Sequence, residues 1–231
     1  MNALSPIQAT NITDHVYRAI ERAIVHCELP PLTPISDRSL SEMLGVSRTP
    51  VREALHRLEG AGLVLRRGRS GWMVSGFSKR DIHELFEVRR LIEPFGLDRL
   101  ASDRDEESRQ WLARAFEGFP APLPKEAYEE YLLVDSHFHK RIVECTRNSR
   151  IVAFYAAIEK QIDRGRHFLA MGSAGRIDDL VVEHRRICTA LANGDIEEAK
   201  RALIAHLETG EQKMIMFAQQ RGVDEEGGAH G

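Results

Sequence analysis

Leu40–Leu63, LSEMLGVSRTPVREALHRLEGAGL, decides how this chain reads. Two short helical patterns flank Gly45. The second places Val51, Ala54, Leu55 and Leu58 along one face and Arg48, Thr49 and Arg52 along another. Two helices joined at a glycine, the second with an apolar inner face and a cationic first turn, form what a helix needs to enter a DNA major groove while anchored to a core. Arg48 and Arg52 stand four apart, so their guanidinium groups project together. Arginine suits both bidentate contact to guanine and charge-assisted bonds to phosphate. Ser47 is placed to cap the second helix, whose exposed N-terminus can receive a phosphate. Pro50 falls in its first turn, where a missing N–H costs nothing. Arg38, early in the preceding helix, is placed to clamp the DNA backbone.

Working outward, Ile12, Val16, Ile20, Ala23 and Ile24 recur at helical spacing between Asn11 and about Cys27. The prolines of Leu29–Pro34, LPPLTP, break that helix. Ser36 caps a helix through Leu44, and Gly45 supplies the left-handed residue that ends it. Downstream, Gly60 and Gly62 close the second helix, and Leu63–Arg67 and Trp72–Ser75 read as two strands joined across Gly68-Arg69-Ser70-Gly71. Arg66, Arg67 and Arg69 put positive charge on this hairpin, where a wing would meet flanking phosphates. The competing reading is an ordinary surface helix pair with solvated arginines, and the arginine-bearing hairpin argues against it. The expected organisation is a flexible arm at 1–11, a winged helix-turn-helix at 12–75, a linker at 76–78, an all-helical domain at 79–220 and a Gly- and Glu-rich disordered tail at 221–231.

The 231 residues are 42% hydrophobic and 29% charged with both signs mixed, a globular composition. No apolar run approaches the ~20 residues of a membrane span, and MNALSPIQATNITDH has no basic-then-apolar leader, so a cytoplasmic location is expected. Cys27, Cys145 and Cys188 are odd in number and far apart, which suits reduced thiols. The net charge of -3 conceals an excess of positive charge over residues 1–76, where nine arginines and no lysine face seven acidic residues. DNA binding then rests on where the arginines sit rather than on bulk charge.

Beyond the linker, Ser78 and Asp81 form a capping pair that opens a helix to about Ala101. Further helices are expected at about 105–118, 125–147, 149–171, 176–192 and 196–217, with Asn193-Gly194-Asp195 separating the last two. Six amphipathic helices without a convincing strand imply a bundle. The stripe Leu85, Val88, Leu91, Ile92 and Phe95 reads as core or dimer face. Asp135 and His139 are four apart on one helix face, with His184 and His206 on two other helices. A carboxylate and three imidazoles that converged would suit a divalent transition metal, with room for water or a ligand's carboxylate. Spacing alone does not establish that they converge. Cys188, one turn after His184, reads first as a small packing residue.

The string VSRTPVREAL, Val46 to Leu55, closely resembles the winged-helix domain of the GntR superfamily of bacterial transcription regulators, a likeness covering about residues 12–75. It implies operator contacts at Arg38, Arg48, Thr49 and Arg52, with Gly68 at the wing tip. Cys27 and Leu32 stand where that family usually has glycine, so the turn before Pro34 is expected to differ in shape. VDSHFHKRIVECTRNSRI and EHRRICTALANGDIEEAKRALIAHL resemble the all-helical FCD effector domain found behind such winged helices, with a helix count like the shorter, VanR-like branch. That resemblance implies a divalent metal (zinc, nickel or manganese) on Asp135, His139, His184 and His206, with His137 and His167 outside the set. It also implies that Arg89, in EVRRLIE, reaches a ligand's carboxylate; a surface ion pair with Glu93 is the alternative. A homodimeric repressor on a palindromic operator, released by a small carboxylic acid such as a sugar acid or lactate, is the expected function. A metal-dependent hydrolase or lyase, or a purely structural metal, are the alternatives.

Overall fold

The computed structural model describes residues 12–68, 71–103, 105–171 and 174–224, the side chains of 174–177 apart. The expected arm at 1–11, Arg69 and the tail from 225 lie outside the described residues. The chain forms two compact units, one holding the first helix to Ile24 together with Glu28–Ser75, the other Val25–Cys27 together with Gly76 onward. The fold is mainly helical, a winged helix-turn-helix with a small three-stranded sheet and a helical bundle.

In the first unit the order is α1 (Ile12–Val25), β1 (Pro34–Ser36), α2 (Asp37–Leu44), α3 (Arg48–Gly60), β2 (Val64–Arg67) and β3 (Gly71–Val74). The stripe Val16, Ile20 and Ile24 of α1 is buried in one cluster with Leu40, Val51, Leu55 and Leu58. Each such side chain contributes about 1.5–3 kcal/mol by leaving water. Ser36 Oγ accepts from the Ser39 amide, and Gly45 at φ 65° ends α2 in the left-handed region. Ser47 holds the N-cap position of α3, yet its side chain makes no capping hydrogen bond, contrary to expectation.

The sheet is antiparallel in the order β1-β3-β2, with Arg66 and Ile35 both facing Trp72 across the strands. The β2–β3 hairpin follows the sequence reading; β1 does not. Three residues are too few to show alternation, and Pro34 reads as a breaker, although the first position of an edge strand tolerates proline. A Cβ on Gly71 would lie 2.8 Å from the Arg67 carbonyl oxygen, so the tight hairpin requires glycine there. Cys27 (φ 57°) and Leu32 (φ 62°) both take the left-handed conformation. Glycine's backbone geometry is thus kept without glycine, at roughly 1–2 kcal/mol per residue.

The second unit comprises α4 (Lys79–Asp103), α5 (Glu106–Arg114), a 3-10 turn (Lys125–Ala127), α6 (Tyr128–Glu144), α7 (Ser149–Ala170), α8 (Ala174–Ala192) and α9 (Ile196–Arg221). Ser78 caps α4 by accepting from the Asp81 amide at 3.0 Å. Asn148 caps α7 and Asp195 caps α9 in the same manner. α9 packs against α4 and α8, and α6 against α4 and α7. At Gly96 a Cβ would fall 2.1 Å from the Ile142 carbonyl oxygen, so α4 and α6 meet backbone to backbone. The α4 stripe divides. Leu85 and Ile92 pack on a satellite cluster of Val143, Tyr155 and Ile162, whereas Leu91 and Phe95 of α4, like Phe154 of α7, are exposed. All three cysteines are buried and free. Among the described residues no helix is long and apolar enough to cross a membrane.

Candidate nucleic-acid interface and candidate metal centre

α3 carries Arg48, Thr49 and Arg52 on its exposed side, where they line an open concavity with Glu53 and His56. Beneath them lies Asp37, in the first turn of α2 and only 4% exposed. Its Oδ1 accepts from Arg48 Nη2 at 2.8 Å, and its Oδ2 from Arg52 Nη2 at 2.6 Å and Nε at 3.2 Å. The Arg52 hydrogen bonds, opposed by burial and aided by Arg48, hold the Asp37 carboxyl below the usual carboxylate range. One buried carboxylate therefore fixes the direction of two half-exposed guanidinium groups. Arg38 is elsewhere engaged, pairing with Glu42 at 2.9 Å on the exposed side of α2. Ser47 is exposed at the start of α3. Arg67 and Gly68 (φ 65°) stand exposed at the end of β2, with Arg67 Nη1 3.5 Å from Met73 Sδ. Sequence reading passed over Asp37, because an aspartate in a first turn is explained by the helix dipole alone.

In the bundle, α6, α8 and α9 bring His139, His184 and His206 together. The first two are fully buried and the third is 6% exposed. Each ring is anchored at Nδ1: His139 to Glu93 Oε2 at 2.6 Å, His184 to the Leu180 carbonyl at 2.9 Å and His206 to Glu183 Oε2 at 2.8 Å. The Tyr131 hydroxyl also lies 2.7 Å from His184 Nδ1, so this nitrogen is held between a hydroxyl and a carbonyl. Glu93 receives Arg89 Nε, the Tyr155 hydroxyl and His139 on two oxygens, which makes it an acceptor. Burial pushes the His139 imidazole well below its ordinary value, helped by the nearby Arg89 charge. Burial likewise pushes His184 down to about 3. Both rings are then neutral, and their Nε2 atoms face each other 3.3 Å apart. Ligand atoms of all three imidazoles come within 4.8 Å of one another in this dry core, close enough to share one ion. The donor set, with Nδ1 tied back to carboxylate or carbonyl, therefore fits a divalent metal.

Asp135 joins the group incompletely. Its Oδ1 is 3.6 Å from His139 Nε2 and its Oδ2 3.9 Å from His184 Nε2, but Oδ1 also accepts from Arg166 Nε at 2.6 Å. Although burial alone would raise it, the Arg166 charge holds the Asp135 carboxyl well below its ordinary range. Arg89 is buried rather than on the surface, so its pairing with Glu93 at 2.7 Å is an internal one. Its Nη2 has no acceptor among the described residues. Neighbouring Arg90 turns away to Glu211 of α9. His137 is exposed, and His167 stacks on His26 with ring centroids 4.3 Å apart. Cys188 bonds to the Leu112 carbonyl, and burial pushes its thiol up to about 12, so it is a packed thiol outside the cluster. Glu93, Glu183 and Arg166 went unread as parts of a site, because only tertiary structure brings them to the imidazoles and Asp135.

Residues 12–74 match the description "Bacterial regulatory proteins, gntR family", and residues 84–209 match the FCD domain. The HTH-type transcriptional repressor RspR of Escherichia coli K12 is 26% identical over 217 residues, covering 94% of both chains. The Uxu operon transcriptional regulator of the same strain is 29% identical, over 82% of this chain and 79% of its own. Among solved structures, a putative GntR transcriptional regulator from Rhodococcus sp. RHA1 superposes with a TM-score of 0.70 at 25% identity, covering 90% of this chain and 99% of that one. The two matched segments fall on the winged helix and on the bundle described above, and the chain belongs to the GntR family of DNA-binding transcription regulators, which are not enzymes, with an FCD domain behind its winged helix.

Proposed function

We propose that this regulator represses transcription as a homodimer and releases a palindromic operator when a small carboxylic acid occupies the bundle. Arg48, Thr49 and Arg52 of α3 read base edges and phosphates, Ser47 and Arg38 contact the backbone, and the wing residues Arg67, Gly68 and Arg69 flank the site. His139, His184 and His206, with Asp135, would hold a divalent ion, zinc, nickel or manganese being compatible with such ligands. A bound ion supplies Lewis acidity to which a carboxylate oxygen is drawn. The chain's own residues do the rest. Glu93 and Glu183 fix the tautomers of two ligands, Arg89 offers the acid a buried donor, and Tyr155 holds Glu93 in place. The exposed Leu91 and Phe95, four apart on α4, are apolar side chains suited to cover by a second copy. An acid that weakens operator binding must bind the DNA-free form more tightly.

The observation that carries this reading is the cluster of three anchored imidazoles beside a buried arginine with an unused donor. Arg52→Ala should lower specific operator affinity at least tenfold in a gel shift at fixed salt, while the oligomeric state stays unchanged. Unaltered affinity would remove α3 from the contact. The deep burial of His139 and His184 also suits an ion that merely cross-links three helices. Chelation that lowers the melting temperature but leaves acid affinity intact would favour that structural role.

A further inference from the structure

The cavity beside the imidazole cluster holds a second unused donor that the proposed function does not employ. Arg166 of α7 is about nine-tenths buried and tied down at two of its three nitrogens, Nε to Asp135 at 2.6 Å and Nη1 to Asp163 at 2.8 Å. Its Nη2 is buried with no acceptor among the described residues, as is that of Arg89. Both guanidinium groups line one cavity, together with Asp135 and His206. Each is clamped at the Nε end, so neither can turn to satisfy its free N–H. A charged donor left unmet in a core is costly, and two in one cavity mark a place for an anion.

Charge, lining and volume narrow that anion. Taking the imidazoles as neutral ligands, Arg89 and Arg166 stand against Glu93, Asp135, Asp163 and Glu183, two positive charges against four negative ones. A divalent ion balances this set, so every carboxylate a ligand brings adds uncompensated negative charge, and a monocarboxylate adds half as much as a dicarboxylate. The remaining lining is apolar, chiefly Leu85, Leu132, Ile162, Leu169, Leu180 and Met214. Gln161 is the only uncharged amide there, and no Ser, Thr, Asn or Tyr occurs among the described lining residues. Each buried hydroxyl of a sugar acid would lose its water without a partner. The cavity is small, about 40 Å³, which suits a short acid better than a six-carbon one.

We infer that the effector is a short-chain monocarboxylic acid with an apolar tail, its carboxylate held between Arg89 Nη2 and Arg166 Nη2. This rests on the acid-sensor reading above and makes Arg166 a specificity-determining residue. The test is calorimetric titration of the zinc-loaded full-length protein with propionate, succinate and gluconate. Propionate should bind at least tenfold tighter than the other two. Arg166→Lys, which keeps the charge beside Asp135 but deletes Nη2, should weaken propionate at least tenfold with zinc content unchanged. Gluconate or succinate binding tighter than propionate would overturn this inference while leaving the acid-sensor reading intact. Full propionate affinity in Arg166→Lys would overturn the carboxylate clamp. If Arg166→Lys does not fold, the ranking of the three acids on the native protein still decides. Binding of none of the three would count against the acid-sensor reading itself, and this inference would fall with it.

Discussion

Asp37 sets the geometry of two side chains that the sequence presents as independent. Removing it in Asp37→Ala frees Arg48 and Arg52 to sample other rotamers and removes a negative charge from the DNA-facing side. On random DNA only the charge effect acts, whereas on a specific site the lost positioning opposes and outweighs it. We expect operator affinity to fall about tenfold, about 1.4 kcal/mol, while affinity for random duplex holds or rises. Paired binding isotherms on the two DNAs check this, and an equal loss on both would refute the positioning role. The sign of its pH dependence follows from its lowered carboxyl value. The stability it contributes is present above the ordinary carboxylate range near 3.8 and is lost as pH falls through that range toward the folded value. Asp37→Ala should accordingly flatten the acid limb of the denaturation profile. Leu32 offers a prediction of opposite sense. It is half-buried and left-handed, so Leu32→Gly relieves about 1 kcal/mol of backbone strain and loses little packing. A melting temperature equal to or above that of the parent is expected, and a large drop would mean that the side chain, not the backbone, dominates there.

Among the elements, the α4–α6 crossing is the least forgiving. Any side chain at Gly96 meets the Ile142 carbonyl, a backbone atom that cannot swing aside. Gly96→Ala should cost at least about 3 kcal/mol, at the upper end of overpacking effects, and a thermal melt within 2–4 °C of the parent's would disprove the close approach. Helix boundaries in this region were legible because their caps are local: Ser78, Asn148 and Asp195 each accept an amide two or three residues on. The hairpin was legible for the same reason. β1 was not, since its pairing partner lies 37 or so positions downstream and its three residues carry no period of their own. The metal candidates were legible only through resemblance, as i,i+4 spacing places Asp135 with His139 but cannot bring in α8 and α9. Arg166 was hidden more thoroughly. In EKQIDRGRHF five of the ten residues are charged, which reads as a solvated face, yet this arginine is turned inward.

At the scale of the whole molecule, an ion at the imidazole cluster would tie three helices that are far apart in sequence. Stripping it with a chelator should lower the melting temperature, and free zinc at 100 times its Kd should restore roughly 2.7 kcal/mol. Replacing His184, whose ring also stacks on Phe116 at 4.2 Å, by glutamine should abolish the zinc response in a thermal scan. A zinc response retained in His184→Gln would place the ion elsewhere. The bracket formed by Asp37 has a further consequence for how the regulator behaves in cells of changing ionic strength. The two arginines proposed to read DNA share one resident carboxylate, so together they bring a net charge of +1 rather than +2 to the duplex and expel fewer dissolved ions. The slope of log affinity against log salt, ordinarily about -0.9 per phosphate neutralised on B-form DNA, should then be shallower than the number of arginines at the interface would suggest, giving a grip that tolerates osmotic upshift.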